Sequence, residues 1–116
     1  MDQFRFVRPE HLNHYGHLFG GSMLTWIDEA GWIAASLDFP NEHFVTVAMA
    51  EISFERRVEV GEILRFTTTQ VHRGTTSVRY EVRVSSTTND SPICTTTTTF
   101  VSVDDDGAKR ALPEGA

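Results

Sequence analysis

The spacing of apolar residues changes period once along this chain, at Pro40. Before it, Met23, Leu24, Trp26, Ile27, Ala30, Gly31, Ile33, Ala34, Ala35 and Leu37 spread over more than half of a helix circumference. Thr25, Glu29 and Ser36 share the remaining polar strip, and Asp28 falls at its border, flanked in projection by Trp32 and Ala35. The spacing predicts a helix from Gly21 or Ser22 to about Leu37, buried on several sides. Small Ala30, Gly31, Ala34 and Ala35 would let another backbone come close. Asp38, Pro40 and Asn41 end it.

After Pro40 the residues alternate with a period of two. His43–Phe54 reads as a long strand, apolar on both faces in its first half, as a strand buried on both faces should be. The turn at Val60-Gly61-Glu62 leads to a strand over Ile63–His72. Arg73-Gly74 makes the next turn, into Ser77–Ser86, where Val78, Tyr80, Val82 and Val84 alternate with Arg79, Glu81, Arg83 and Ser85. Asn89–Pro92 turns the chain again. Ile93–Val103 is the last strand, its five consecutive threonines suited to it by their branched Cβ. Upstream, residues 3–8 fit a short edge strand closed by Pro9, and Glu10–Gly21 has no period at all. One strand, a long loop, a buried helix and four longer strands make an α+β fold in which an antiparallel sheet wraps the helix. Residues 1–103 form a single domain. Residues 104–116, charged and bearing Pro and Gly, read as a poorly ordered tail.

Composition narrows the function. At 116 residues and 40% hydrophobic, the chain supports one folded core and holds no apolar run long enough to span a membrane. The N-terminus lacks the basic-then-apolar pattern of a secretory signal. A single cysteine, Cys94, excludes an internal disulfide and makes a reducing cytoplasm the expected location. A net charge of −6 argues against a general nucleic-acid binder. A polyanionic ligand would have to be met by a local group of arginines.

Candidate chemistry gathers around the start of the helix. Phe19-Gly20-Gly21 places two residues without Cβ where helix N–H groups lack partners, so a carbonyl oxygen gaining charge would be stabilised there. On physical grounds alone the plainer explanation, two glycines shaping a corner, is the stronger. Asp28, at the edge of the buried arc, can activate water or attack a carbonyl directly, whereas Glu29 faces water. Asp28 lies roughly 10 Å along the axis from the helix start, so a substrate or a second subunit would have to bridge the two places. Arg56, Arg57, Arg73 and Arg83 are the candidate anion contacts. Arg73 opens a turn, Arg73-Gly74-Thr75-Thr76-Ser77, whose hydroxyls and N–H groups suit phosphate; solvated turn charges explain it equally well. His11, His14 and His17 are three apart, but Gly16 interrupts them and no acidic or cysteine partner is near, so no metal and no cofactor are expected.

Taken together, Asn13, Gly16, Phe19, Gly20 and Gly21 in N-x-x-G-x-x-F-G-G, followed by M-L-x-W-I-D and a small-residue helix, resemble the hotdog-fold acyl-CoA thioesterases. The similarity is to the bacterial short-chain type related to the brain acyl-CoA hydrolases. It continues through V-T-V-A-M-A-E-I-S-F-E-R-R-V-E-V-G-E and R-G-T-T-S to about Pro113. The resemblance implies a five-stranded antiparallel sheet wrapped around one long central helix. It implies a homodimer joined edge to edge, often assembled into tetramers or hexamers. It puts the catalytic acid on Asp28 and the loop asparagine on Asn13, acting across the dimer interface, with Gly20 or Gly21 N–H polarising the thioester carbonyl. His17 and Phe19 would border the substrate, and coenzyme A would lie near Arg56, Arg57 and the turn Arg73–Ser77. Two positions depart from the family pattern. His17 stands where relatives often have Asp, which would alter the pH profile or the acyl pocket. Arg57 stands where they usually have Pro, which would add a phosphate contact. Two rival functions are a hotdog hydratase or dehydratase, pairing His17 with Asp28 or Glu29, and a non-catalytic acyl-CoA-binding sensor.

Overall fold

Helix α1 runs Gly20–Asp38, one turn-defining residue beyond the expected span at each end. It sits in the lap of a five-stranded antiparallel sheet, so the architecture is the expected α+β hotdog arrangement. This computed structural model describes residues 1–114. The strands are β1 (Asp2–Phe6), β2 (His43–Met49), β3 (Ile63–Arg73), β4 (Ser77–Ser86) and β5 (Pro92–Val103), in the order β1-β3-β4-β5-β2. A single 3-10 turn, Pro9–His11, starts the loop before α1.

The wide apolar arc of α1 divides its core between two ends. Met23, Trp26, Ile27 and Ala30 pack with Leu64, Phe66, Val82, Val84 and Ile93. Ala34, Ala35 and Phe39 pack with Phe44, Val78, Tyr80 and Phe100. Between the two, the helix comes closest to the sheet. A Cβ on Gly31 would stand 2.7 Å from Thr98 Oγ1 and 2.9 Å from the Phe100 ring, so only glycine fits there. At the far end Tyr80 Oη donates to Asp38 Oδ2 at 2.6 Å, fastening the last helical turn to β4.

Three expectations are corrected. The strand expected over His43–Phe54 ends at Met49; beyond it only Ala50 N and Glu55 N still donate to β5, at Thr97 O and Ile93 O. Nor is β2 buried on both faces. It is the sheet's edge, with Val45 and Val47 about half exposed and a bulge between Thr46 and Ala48. Finally, the tail is not loose as far as Leu112. Asp104 N donates to Ala108 O, Arg110 N to Ser102 O and Leu112 N to Thr75 O, and the Leu112 side chain is buried in the second core cluster. One leucine anchoring the tail against Phe39 and Phe100 outweighs the charge and Pro/Gly content that suggested disorder. Residues 115 and 116 of the expected tail lie outside the described residues.

Strand β1 is inverted relative to a simple amphipathic edge. Its phenylalanines, Phe4 and Phe6, point outward, while Gln3 Nε2 donates to Ala30 O and Arg5 pairs with Glu29 at 2.5 Å. Glu29 is therefore exposed, as expected, and also engaged. An inward-reaching charge of this kind discourages further strand addition at that edge. Strand β2 has no such guard.

Candidate active site

The loop before α1 is closed by Asn13. Its backbone N–H donates to His17 O at 2.8 Å, and its side-chain Oδ1 accepts the N–H groups of Tyr15 at 2.9 Å and His17 at 3.2 Å. Both acceptor positions of the amide are thus used by the loop itself, and only the Nδ2 donors are left for anything else. Gly16, at φ +83°, supplies the left-handed residue this tight loop requires.

The loop delivers the chain to α1 with Phe19 as N-cap and no side-chain cap. Ser22 N and Met23 N turn back to Phe19 O, which leaves the N–H groups of Gly20 and Gly21 without acceptors among the described residues. The two glycines differ. Space around a Cβ on Gly20 is open, whereas one on Gly21 would stand 2.5 Å from the Phe19 ring. Gly20 lines a cavity of about 700 Å³ and Gly21 does not. Phe19 itself is exposed and caps Gly21 without lining the cavity.

That cavity is bounded by Asn13, Tyr15 and His17 from the loop, Met23 from α1, and Phe54, Arg56, Arg57 and Val58 from the segment after β2. Buried Met23 and Val58 make it apolar on one side, and the loop and the arginines make it polar on the other. His17 Nδ1 lies 3.2 Å from Glu59 Oε1, close enough for attraction but off the line of a hydrogen bond. The other histidines do different things. His11 Nδ1 accepts Arg8 N–H while its ring meets Trp26 edge-on, and His14 stacks on Tyr15.

Arg56 is not the open anion contact expected of it. Its guanidinium donates to both oxygens of Glu62, to Ser91 Oγ and to Arg57 O. The hydrogen bonds from Arg56 hold the Glu62 carboxyl below the usual carboxylate range, and the same pairing raises Arg56 further. The charge is spent on bracing the β2–β3 connection internally, through Glu62, and on fastening it to Ser91 in the β4–β5 turn. Arg57 beside it is exposed and lines the cavity.

The turn Arg73–Ser77 is not brought to this cavity within one chain. Strand β3 carries the chain about 33 Å from Ile63 to Arg73, at ~3.3 Å per residue. There Arg73 lies over the Phe39 ring and donates to Pro113 O, at the C-terminal end of α1. Gly74 N donates to Ser77 O, and the carbonyls of Thr75 and Thr76 accept from Leu112 and Ser102, with Thr75 exposed at the turn. Arg83, the remaining candidate, pairs with Glu81 on the outer face of β4.

Asp28 stands apart as well, about 12 Å up the helix axis from Gly20. It is half-buried, and its Oδ1 accepts a 2.7 Å hydrogen bond from Thr46 Oγ1 on β2. Leu24, Asp28 and Trp32 follow one another at four-residue intervals, so they share one stripe of the helix, beside the uncovered edge of β2. Leu24 and Trp32 are both substantially exposed. Sequence patterning missed Thr46: a threonine in an apolar strand carries no sign of which helix side chain it faces. It missed Tyr15, Phe54 and Val58 for the same reason.

Comparison with known proteins places this geometry. A thioesterase superfamily model matches residues 15–93. The chain is 32% identical to the acyl-CoA thioester hydrolase YciA of Escherichia coli over 90% of its own length and 84% of that protein. It superposes on a hexameric hotdog fold thioesterase of Campylobacter jejuni with a TM-score of 0.86 and 34% identity, covering 97% of this chain and 89% of that one. An acyl-CoA hydrolase from Staphylococcus aureus, solved with butyryl coenzyme A and coenzyme A, superposes with a TM-score of 0.85 and 26% identity, covering 97% of this chain and 68% of that one. Alanine variants of an aspartate and of an asparagine of that hydrolase have also been solved, and the two altered positions are separated by the same fifteen residues as Asn13 and Asp28. With the family model matching residues 15–93 and the fold and a relative's sequence matching over nearly the whole chain, the chain belongs to the thioesterase superfamily.

Proposed function

We propose that this protein hydrolyses an acyl-CoA thioester to a free carboxylic acid and coenzyme A, at sites completed between two copies of the chain. The observation that carries the reading is the unpartnered Gly20 N–H opening onto a cavity that also holds the Asn13 amide. A carbonyl oxygen seated there meets two kinds of N–H donor and the positive end of a helix.

The carboxylate comes from the other copy. Asp28 is too far from its own Gly20, but it sits on the exposed stripe beside the open edge of β2. Pairing two β2 edges antiparallel would set the N-terminal end of one helix beside the partner's helix flank. In that arrangement Asp28 takes a proton from water as the water oxygen attacks the carbonyl carbon, and Gly20 N–H and Asn13 Nδ2 hold the oxyanion. Collapse breaks the C–S bond, and the departing thiolate takes up the proton. Asp28 attacking the carbonyl itself, through a mixed anhydride, uses the same geometry. The same pairing would bring one chain's Arg73–Ser77 turn toward the other's cavity, where its threonine and serine hydroxyls suit the phosphates of coenzyme A. The hexameric state of the Campylobacter relative fits a dimer as building block. A cytoplasmic location, suited to fatty acid metabolism, is supported by the single reduced cysteine.

His17 faces Glu59 and not Asp28 or Glu29, so nothing favours the hydratase reading. Free-thiol release from acyl-CoAs of rising chain length tests the proposal, with Asp28→Ala beside the wild type. Burial pushes the Cys94 thiol up to about 11, so its background reaction is slow and a no-substrate blank removes it. Loss of at least about 10²-fold in turnover is expected, the contribution typical of a general base. Near-normal turnover in the folded variant rejects the role of Asp28, and no thiol release on any chain length from wild type rejects hydrolysis.

A further inference from the structure

Eight of the nine arginines are already engaged. Arg5, Arg56, Arg65, Arg83 and Arg110 pair with carboxylates. Arg8 lies over Phe6, Arg73 over Phe39, and Arg79 donates to Thr99. Arg57 alone, among the described residues, has no carboxylate, no ring and no hydrogen-bond acceptor for its guanidinium. It is also one of only two arginines that line the cavity, and the other, Arg56, is neutralised by Glu62. In a chain with a net charge of −6, an unpaired guanidinium held at the edge of a cavity is the place where an anionic group of a ligand gains most.

We propose that Arg57 is the anion handle of this cavity and sets which thioesters are bound. The reading rests on the proposed acyl-CoA hydrolysis. Arg56 sets the backbone position of its neighbour, because its Nη1 donates to Arg57 O while Glu62 and Ser91 hold the rest of its guanidinium. The group bound is an oxyanion with two or more acceptor oxygens, which a guanidinium grips in bidentate fashion. Two parts of an acyl-CoA can supply it, a phosphate of the coenzyme or a carboxylate at the far end of a dicarboxylic acyl chain.

Arg57→Gln, which keeps the polar stem and removes the charge, separates these sources. The variant should melt with the wild type, since no contact of the side chain is lost. If Arg57 holds a phosphate, KM for butyryl-CoA and for glutaryl-CoA rises together by about tenfold to a hundredfold, the range for losing a charge-assisted hydrogen bond. That loss disappears on the phosphate-free butyryl-pantetheine thioester. If it holds an acyl carboxylate, the loss is confined to glutaryl-CoA. Either pattern supports the handle. Equal losses on all three substrates, or no loss on any, overturn it. Calorimetric titration of wild type and Arg57→Gln with coenzyme A, butyryl-CoA and glutaryl-CoA reads the same contact without turnover. A protein that binds these through Arg57 but releases no thiol would keep the handle and reject hydrolysis; one that hydrolyses with Arg57 silent would do the reverse.

Discussion

Thr46 Oγ1 and Asp28 Oδ1 are joined by a 2.7 Å hydrogen bond that ties the edge strand to the middle of the helix. The bond occupies one carboxylate oxygen and leaves the other without a hydrogen-bond partner among the described residues, which sets the direction in which Asp28 can accept a proton. Thr46→Val keeps the shape and removes the donor. It should lower kcat by about tenfold with KM little changed, because a misdirected base weakens the transition state more than substrate binding. Thr46→Ser should restore most of the rate. A Thr46→Val enzyme with wild-type kcat would show that Asp28 needs no such guide.

Asn13 separates loop building from chemistry in a way that one substitution can read. Asn13→Asp keeps an acceptor for the N–H groups of Tyr15 and His17 but loses the Nδ2 donor. The loop should hold and the melting temperature should stay within a few degrees of wild type, while kcat falls by about 10²-fold, the usual effect of losing an oxyanion donor. Asn13→Ala should lower both. If Asn13→Asp were fully active, the amide would serve only the loop.

Gly20→Ala tests the glycine turn. The position has open space and an ordinary helical backbone, so alanine should fold normally and even favour the helix. Its methyl group would stand between a ligand and the N–H, and thiol release should drop by about tenfold or more at unchanged stability. Unchanged turnover would return the two glycines to a purely structural role, leaving Gly21 to accommodate the Phe19 ring.

What the sequence made legible was whatever is periodic. The 3.6-residue arc placed α1 to within a residue or two, and strict alternation placed β4 at Ser77–Ser86. Gly31 stood out as a close-approach residue because its neighbours Ala30, Ala34 and Ala35 are also small. Positions where one side chain's partner decides its role were not legible. Arg56 and Arg57 are adjacent and chemically identical, yet Glu62 claims one and leaves the other. Phe44 and Val45 are both apolar in β2, but only the tertiary fold makes one core and the other edge. The charged tail hid a single anchoring leucine, Leu112. The distance between Asp28 and the glycine turn was readable from helix rise alone, and it called for a substrate or a second subunit to bridge the two places.

The Arg56–Glu62 pair predicts a pH dependence of stability. Glu62 is held below its ordinary value near 4.5, first by the hydrogen bonds from Arg56. A depressed folded value means the unfolded chain takes up the proton first, so the contribution is complete above about pH 5 and is lost as pH falls through the folded value. Glu62→Gln should therefore melt several degrees below wild type at pH 7, about 4–8 °C for each kcal/mol lost. The gap should close as the pH is lowered below 4.5. Melting curves measured from pH 7 to pH 3 check this, and a gap that persists unchanged at pH 3 would assign the pair no electrostatic role.

Val45 and Val47 carry the last prediction, because they decide whether the site is shared. Both are exposed in the single chain, on the open edge of β2, and the helix stripe beside them exposes Leu24 and Trp32 around Asp28. A lysine on an edge strand is tolerated by the strand itself and opposes pairing with another. Val45→Lys/Val47→Lys should therefore leave circular dichroism unchanged, since neither side chain belongs to a core cluster. In sedimentation it should reduce the protein to the mass of one chain, and thiol release should fall to the level of Asp28→Ala, because each cavity loses the carboxylate that only a second copy can bring. Mixing Asp28→Ala with Gly20→Ala protein gives the complementary result. Mixed dimers hold one intact site from two defective chains, so activity should recover toward a quarter of wild type after exchange of subunits. A monomer as active as wild type, or no recovery on mixing, would place Asp28 and the glycine turn of one chain in the same site and dismantle the two-chain mechanism.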